Sequence, residues 1–140
     1  MSNSIKYSST RGGESSLSYE DVLLSGLARD GGLFMPEEWP QFSHSDLNEM
    51  KHLNYAELSA KIIRPFVEPC LSENELLNIS KDTYSVFNKD VAPLYQLNKN
   101  LHVLELFHGP TLAFKDYAMQ FLARAFNQAL NKRAQKGVIL

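Results

Sequence analysis

The stretch Glu105-Leu-Phe-His-Gly-Pro-Thr-Leu-Ala-Phe-Lys-Asp116 contains the junction that decides the predicted fold. Apolar residues from Leu101 to Phe107 predict a strand, and Gly109-Pro110 breaks it. Beyond the break, apolar residues at helical spacing predict a long helix from about Leu112 to Arg133. The junction therefore joins a strand to a helix across a tight loop.

The long predicted helix carries a wide apolar arc. The arc consists of Phe114, Ala118, Phe121, Leu122, Ala125 and Ala129, and is widened by Met119 and Phe126. An arc of this width predicts a helix that is packed on two sides, as in a layered α/β protein.

Lys115 is the unusual residue of the junction. It lies in the first turn of the predicted helix, where the positive end of the helix dipole disfavours a cation. Its neighbours on the helix surface, Leu112, Ala118 and Met119, include no anion. Because Lys115 borders the apolar arc beside Phe114, burial there would favour a neutral amine, which can form a Schiff base with a carbonyl cofactor. The alternative is a lysine whose stem packs while its ammonium group reaches water.

Several neighbours of the lysine are candidate site residues, and each has a structural alternative. His108 is either a base or a hydrogen-bonding loop residue, and Phe114 is either an aromatic beside the site or a core residue. Thr111 could cap the helix, and Asp116 suits the positive end of the dipole. Glu105 is expected to pair with a basic group. No spacing typical of a metal site occurs, and there is no phosphate-binding Gly-x-Gly-x-x-Gly motif.

The part of the chain before the junction is predicted to be mostly helical. A short strand at Ile5–Ser9 is followed by helices with recognisable starts. These starts are Ser18 for a helix to about Ser25, Ser43 or Ser45 for one to about His52, Asn54 with Glu57, and Ser72 with Glu75. The helix after Asn54 is expected to end or kink near Arg64, because Pro65 cannot donate a backbone hydrogen bond. A hairpin of Pro93–Leu97 and Leu101–Phe107 follows.

Composition excludes several classes of function. The chain has 140 residues, 44% of them hydrophobic, and a formal net charge of −2, which gives no electrostatic reason to expect binding to nucleic acid or an anionic membrane. The single cysteine, Cys70, allows no internal disulfide and is expected to be an apolar packing residue. No run is long enough to span a membrane, and the polar N-terminus has no signal core. These features predict a cytoplasmic protein.

Residues His108-Gly-Pro-Thr-Leu-Ala-Phe-Lys-Asp116 resemble the lysine segment of the threonine synthases, pyridoxal-phosphate enzymes of the tryptophan synthase β fold group. Tyr7-Ser-Ser-Thr-Arg-Gly12 and Asp30-Gly-Gly-Leu-Phe-Met-Pro36 resemble the N-terminal part of the same family, in order and at family-like spacing. The resemblance thus covers nearly the whole chain. It implies a small, mostly helical N-terminal domain at residues 1–92, followed at residues 93–140 by the start of a pyridoxal-phosphate-binding, three-layer α/β domain.

The resemblance also implies roles for the site residues. Lys115 would hold pyridoxal 5′-phosphate as a Schiff base, with Phe114 beside the cofactor ring and Asp116 helping to hold the helix start. Thr111 and His108 would support the site. The implied enzyme converts O-phospho-L-homoserine and water to L-threonine and phosphate, with the lysine amine moving protons between substrate carbons.

The chain is short for this family. A Ser/Gly-rich loop that contacts substrate is expected just after a strand such as Val138-Ile-Leu140, and the loop is absent, as are the cofactor-phosphate cup and the hydroxyl partner of the pyridine nitrogen. We therefore expect the N-terminal part of a threonine synthase, cut within a strand. A non-catalytic remnant or assembly module, or a threonine-synthase-like phospholyase with another substrate, remain as alternatives. The Ser9-Thr-Arg11 segment is expected to approach the site, and the sequence predicts no oligomeric state.

Overall fold

A computed structural model describes residues 4–88 and 90–137 of the chain. Within these ranges the elements, in chain order, are β1 (Tyr7–Ser9), α1 (Tyr19–Ser25), β2 (Phe34–Pro36), α2 (His44–Met50), α3 (Tyr55–Val67), α4 (Glu73–Tyr84), β3 (Leu94–Asn98), β4 (Leu101–Leu104) and α5 (Asp116–Lys132). The predicted strand at residues 138–140 lies outside the described residues. No helix in the described ranges combines the length and apolar character needed to cross a membrane.

The strands form two separate antiparallel pairs. β1 pairs with β2, which was not predicted because its three residues are too few to show a strand pattern. β3 pairs with β4, as the predicted hairpin requires, with Leu94 opposite Leu104. The prediction that the second strand continues to Phe107 is wrong. The chain leaves the ladder after Leu104, and one further hydrogen bond, from the Glu105 amide to the Pro93 carbonyl, follows the last strand pair.

Local polar sequence decides where the first four helices begin. The side chains of Ser18, Ser43, Asn54 and Ser72 each accept a hydrogen bond from the backbone amide three residues later. At the last three of these positions the reciprocal bond completes a capping box. The predicted helix starts are therefore confirmed.

α3 was expected to end or kink near Arg64. An end there is wrong, because the helix continues through Pro65 to Val67, and a kink stays a prediction. A proline inside a helix costs about 3 kcal/mol. Continuation places the Val67 side chain, 1% exposed, in the core, and full burial of such a side chain contributes about 1.5–3 kcal/mol. Phe66 packs against the same cluster, so the burial gained in the last turn offsets the cost of the proline.

A single hydrophobic cluster joins α5 to the helices that precede the hairpin. Its buried members are Val67, Cys70, Leu71, Leu76, Ile79, Ala125 and Ala129. The expected burial of Cys70 is thus confirmed. The cluster contains residues from both sides of the predicted domain boundary between residues 92 and 93. The division into two domains at that boundary stays a prediction.

The beginning and the packing of α5 differ from expectation. The helix begins at Asp116 rather than near Leu112, because the residues between them form a loop. Only one side of its apolar arc is covered, since Ala125 and Ala129 are buried while Met119 is exposed. Among the described residues nothing forms the expected second layer, and every residue of β3 and β4 is exposed.

Glu75 links the start of α4 to α5. Its carboxylate accepts hydrogen bonds from Lys132 Nζ and Gln128 Nε2, each at 2.8 Å, and from Ser72. These bonds, with that from Lys132 the largest cause, lower the pKa of Glu75 from 4.5 to about 2. A carboxyl whose pKa is lower in the folded state contributes stability above its unfolded pKa, and this contribution is lost as the pH falls through the folded value.

We expect Glu75→Gln to lower the free energy of unfolding at neutral pH and to flatten its decline between pH 4.5 and 2. Glutamine still completes a capping box with Ser72, so the helix start is kept. Urea unfolding at a series of pH values measures both effects. Glu49→Gln, which removes the exposed carboxylate facing Lys61, is the control. An unchanged pH slope in Glu75→Gln contradicts the prediction.

Candidate functional site

Lys115 is the N-cap residue of the 17-residue helix α5. Its carbonyl accepts hydrogen bonds from the amides of Ala118 at 3.2 Å and Met119 at 2.9 Å, and its side chain makes no capping bond. The lysine therefore lies at the positive end of the helix dipole, one residue before the first turn in which the sequence predicted it.

Of the two alternatives for Lys115, a buried amine is not found in this chain, because the residue is exposed. The apolar residues around it are exposed as well: Leu112 by 70%, Phe114 by 65% and Met119 by 55%. The lysine therefore sits beside an apolar surface, but that surface is open to solvent because no described element covers it. We call the exposed side chains of Leu112, Phe114 and Met119 the open apolar surface.

Asp116 closes the loop that leads to the lysine. Its side chain is buried, with Oδ2 accepting the Thr111 amide at 2.8 Å and Oδ1 accepting the Thr111 hydroxyl at 2.9 Å. The Asp116 amide donates to the Ala113 carbonyl at 3.0 Å. The sequence suggested that Thr111 caps α5, and this is wrong. Thr111 lies four residues before the N-cap position and donates hydrogen bonds to Asp116 instead.

Two further residues fix the shape of this loop. Gly109 lies so close to Asp116 that a Cβ at position 109 would be 2.5 Å from both Cβ and Oδ2 of the aspartate. Leu112 has a φ of 60°, in the left-handed region, and its amide donates to the Gly109 carbonyl at 3.1 Å. This backbone conformation costs a leucine about 1–2 kcal/mol and persists where the surroundings determine it. The loop therefore presents Lys115 from a defined position.

His108 pairs with Glu105, for which the sequence analysis expected a basic partner. Its Nε2 lies 2.8 Å from Glu105 Oε2, and its ring stacks on Phe107 with centroids 4.7 Å apart. The His108 carbonyl accepts the Asn88 amide at 3.2 Å. The pair lies immediately before Gly109, so it supports the approach to the loop.

Tyr117 is a site residue that the sequence analysis missed. Its hydroxyl donates to the Val91 carbonyl, and its ring packs on Phe87 with centroids 4.8 Å apart. Burial raises the pKa of the Tyr117 phenol. These contacts tie the start of α5 to the segment after α4. Its place in the first turn, next to Asp116, was the only signal in the sequence.

The Ser9-Thr-Arg11 segment is held by the turn around Asp30. The Ser9 hydroxyl donates to Asp30 Oδ1 at 2.8 Å, and Arg11 Nη1 donates to the Asp30 carbonyl at 3.0 Å. Hydrogen bonds from the Gly32 amide and from Ser9 lower the pKa of the Asp30 carboxyl. The structure thus joins this segment to the Asp30 turn, and its approach to Lys115 stays a prediction.

The arrangement is suited to carbonyl chemistry at an amine. An accessible lysine lies at a helix start, next in the chain to an exposed aromatic residue and on a loop of fixed shape.

Within residues 4–88 and 90–137, His, Cys, Asp and Glu form no group of three that could hold a metal ion.

Comparison with known proteins gives consistent matches. The family model described as "Threonine synthase N terminus" matches residues 6–84. The threonine synthase of Pseudomonas aeruginosa is 49% identical over 137 residues, which are 97% of this chain. The crystal structure of pyridoxal-phosphate-bound threonine synthase from Brucella melitensis superposes with a TM-score of 0.91 at 43% identity over 95% of this chain, and that of yeast threonine synthase with 0.85 at 38% identity over 93%.

The chain is much shorter than these proteins. It spans 29% of the Pseudomonas aeruginosa relative, 29% of the Brucella melitensis structure and 27% of the yeast structure. The matched part is the N-terminal part, and its small α/β fold is that predicted from the sequence.

Proposed function

We propose that this chain, which belongs to the threonine synthase family, supplies the cofactor-holding lysine of an enzyme. That enzyme converts O-phospho-L-homoserine and water to L-threonine and phosphate. The observation that carries the proposal is the position of Lys115. It stands at the start of α5, on a loop that the buried Asp116 carboxylate closes, and beside the open apolar surface.

The residues around Lys115 fit pyridoxal 5′-phosphate. The cofactor has an aldehyde and a planar aromatic ring, and the site offers an accessible amine next to the exposed ring of Phe114. The position of the amine adds a second match, because Lys115 follows a loop that the buried Asp116 carboxylate holds in place. The cofactor phosphate would need donors from beyond the described residues, and the greater length of the relatives leaves room for them.

The proposed chemistry divides between cofactor and chain. Bound pyridoxal phosphate supplies an electron sink for negative charge on the substrate carbon. Lys115 would hold the cofactor aldehyde carbon through Nζ and, once displaced by substrate, would accept and return protons at the same nitrogen. Phe114 would lie against the ring, and Asp116 with Thr111 would keep the loop in place. His108 would support the loop from its pair with Glu105.

The division of the chain into domains and its location in the cell belong to the same proposal. Residues 1–92 would form the N-terminal domain and residues 93–140 the beginning of the cofactor domain. A cytoplasmic location also stays a proposal. A threonine-synthase-like phospholyase acting on another phosphorylated substrate remains the alternative within the same chemistry. Assaying phosphate release from several phosphorylated hydroxyamino acids would separate the two.

A second candidate function is supported by the open surfaces of the isolated chain. Every residue of the hairpin is exposed, as is the open apolar surface, and exposed apolar patches of this kind are typical of surfaces that bind other polypeptide. Phosphate release from O-phospho-L-homoserine by this chain alone would exclude the non-catalytic module.

Reduction with borohydride in the presence of pyridoxal phosphate is expected to label Lys115 ahead of the other lysines, because this exposed residue stands at the start of α5 and directly follows the exposed Phe114. The experiment uses a full-length threonine synthase that carries this chain, and peptide mass mapping locates the label. Lys115→Arg should abolish it. Lys61→Arg, which alters an accessible lysine paired with Glu49, should not. A label confined to other lysines would overturn the proposed role.

A further inference from the structure

The fully buried residues of α5 are small, while the larger side chains of Tyr117 and Phe121 make partly buried contacts near its start. Of its apolar arc, only Ala125 and Ala129 are fully buried, and they pack in the cluster that contains Leu76 and Ile79 of α4. An alanine methyl group interlocks little with its neighbours, so such a contact holds the two helices close without strongly fixing their relative shift or rotation.

Polar contacts at the far end of α5 add to the contacts that Tyr117 and Phe121 make near its start. Lys132 Nζ donates to the Cys70 carbonyl at 2.6 Å and to Glu75 Oε2 at 2.8 Å. One turn earlier, Gln128 Nε2 donates to Glu75 Oε1 at 2.8 Å. Both oxygens of one carboxylate are therefore used by two residues that lie on the same side of α5.

Arg133 holds the helix from another direction. Its Nε donates to Glu20 at 2.6 Å and its Nη2 to Asp21 at 2.9 Å, and both carboxylates belong to the first turn of α1. The end of α5 is therefore joined to α1, to the start of α4 and to the turn before α4. Hydrogen bonds to charged groups are directional, and three attachment points fix both a translation and a rotation.

Exposure to water limits the stability that each ion pair of Lys132 and Arg133 adds, beside the pH-dependent contribution of Glu75 described above. The side chains of Lys132 and Arg133 are 36% and 37% exposed, and ion pairs in such positions contribute little. Glu75 is itself held by the Ser72 amide and hydroxyl, each at 2.8 Å, so the lysine meets a carboxylate whose position is already set. We therefore expect these contacts to fix the position of α5 more than they add to the stability of the fold.

We propose that Gln128, Lys132 and Arg133 form a polar clamp that sets the axial position and rotation of α5, and through the rigid helix the place of Lys115. The two ends of this 17-residue helix are about 25 Å apart. The clamp residues are positioning residues. Only the consequence for the cofactor-holding amine rests on the proposed function, because the alignment of α5 is a property of the chain itself.

The alignment can be measured without cofactor. Nitroxide labels are placed on the 140-residue chain at Ala113→Cys, beside the lysine, and at Asp82→Cys on α4, both exposed positions, in a Cys70→Ala background. Double electron–electron resonance then gives the distance distribution between them. Lys132→Met removes two contacts of the clamp and Arg133→Met removes the other attachment. Lys61→Met is the matched control, since Lys61 also pairs with one glutamate but lies on α3.

In Lys132→Met we expect the mean distance to shift by about 1–2 Å, the size of known helix shifts, and the distribution to broaden. Arg133→Met should act in the same direction, Lys132→Arg should restore the original distribution, and Lys61→Met should leave it unchanged. Gln128→Leu, which removes a single neutral donor, provides a mild variant that keeps the fold. Unchanged distributions in all clamp variants would overturn the proposal, and so would equal broadening in Lys61→Met.

A second readout connects the clamp to the amine. In the full-length protein loaded with pyridoxal phosphate, Lys132→Met should change the pH at which the bound cofactor's absorption band shifts, and Lys132→Arg should restore it. If Lys115 takes no cofactor in the unmodified protein, the proposed function fails while the distance measurement still decides the clamp. If Lys115 is labelled but the distances do not change, the clamp alone fails.

Discussion

Gly109→Ala is expected to displace the loop that presents Lys115 and to lower cofactor labelling of that lysine by about 10²-fold, the cost of misplacing a reacting group by roughly 1 Å. The added Cβ would lie 2.5 Å from Cβ and Oδ2 of the buried Asp116, so the aspartate must move. Once it moves, its hydrogen bonds to the Thr111 amide and hydroxyl are lost. The measurement is borohydride-trapped label at Lys115 in the full-length protein, quantified by mass spectrometry.

The overpacked contact should also lower the free energy of unfolding by about 1–3 kcal/mol. Gly26→Ala is the matched control. Its Cβ would meet nothing within 4 Å, but its φ of 73° strains an alanine, so it destabilises the chain without touching the loop. Equal losses of labelling in Gly109→Ala and Gly26→Ala would show that general destabilisation, rather than loop geometry, controls the lysine.

Leu76→Ala is expected to lower the free energy of unfolding by about 2–5 kcal/mol, which is a large part of the stability of a small domain. Leu76 is 1% exposed and lies in the cluster that contains Ala125 and Ala129. Truncation leaves a cavity where the α5 alanines are seated, and alanine methyl groups cannot fill it. Protection of the α5 amides against hydrogen exchange should therefore fall together with that of α4.

Leu47→Ala gives the comparison for the same change of residue type at an exposed position. Leu47 is 49% exposed on α2, so its truncation should change the free energy of unfolding by no more than about 0.5 kcal/mol. Urea unfolding of both variants provides the test. If Leu76→Ala lowered protection in α4 but left α5 unchanged, the two helices would not share one cooperative core.

Sequence reasoning succeeded where the cause of a structure is local. A serine or asparagine followed three residues later by an acidic side chain is enough to start a helix, and α3 and α4 begin where Asn54 and Ser72 predict. It failed at Pro65 because the compensation comes from Val67, whose burial depends on distant helices. A local rule cannot weigh a penalty against a tertiary gain.

The candidate site shows the same division. The lysine and its position at a helix start could be predicted from the Gly-Pro break and the apolar arc, but its exposure could not, because periodicity shows which face is apolar and not what covers that face. The bond between Asp116 and Thr111 was also missed. It depends on a left-handed leucine at position 112, a backbone conformation that leucine does not signal in a sequence.

The shared cluster of α4 and α5 has a consequence for synthesis on the ribosome. When residues up to the end of α4 have emerged, Leu71 and Leu76 still lack the neighbours that Ala125 and Ala129 provide, so the nascent helices have an unfinished apolar side. Contacts between segments this far apart in the chain form late, after the cost of closing the intervening loop has been met. Completion of the first core therefore waits for translation of the helix that begins beside Lys115.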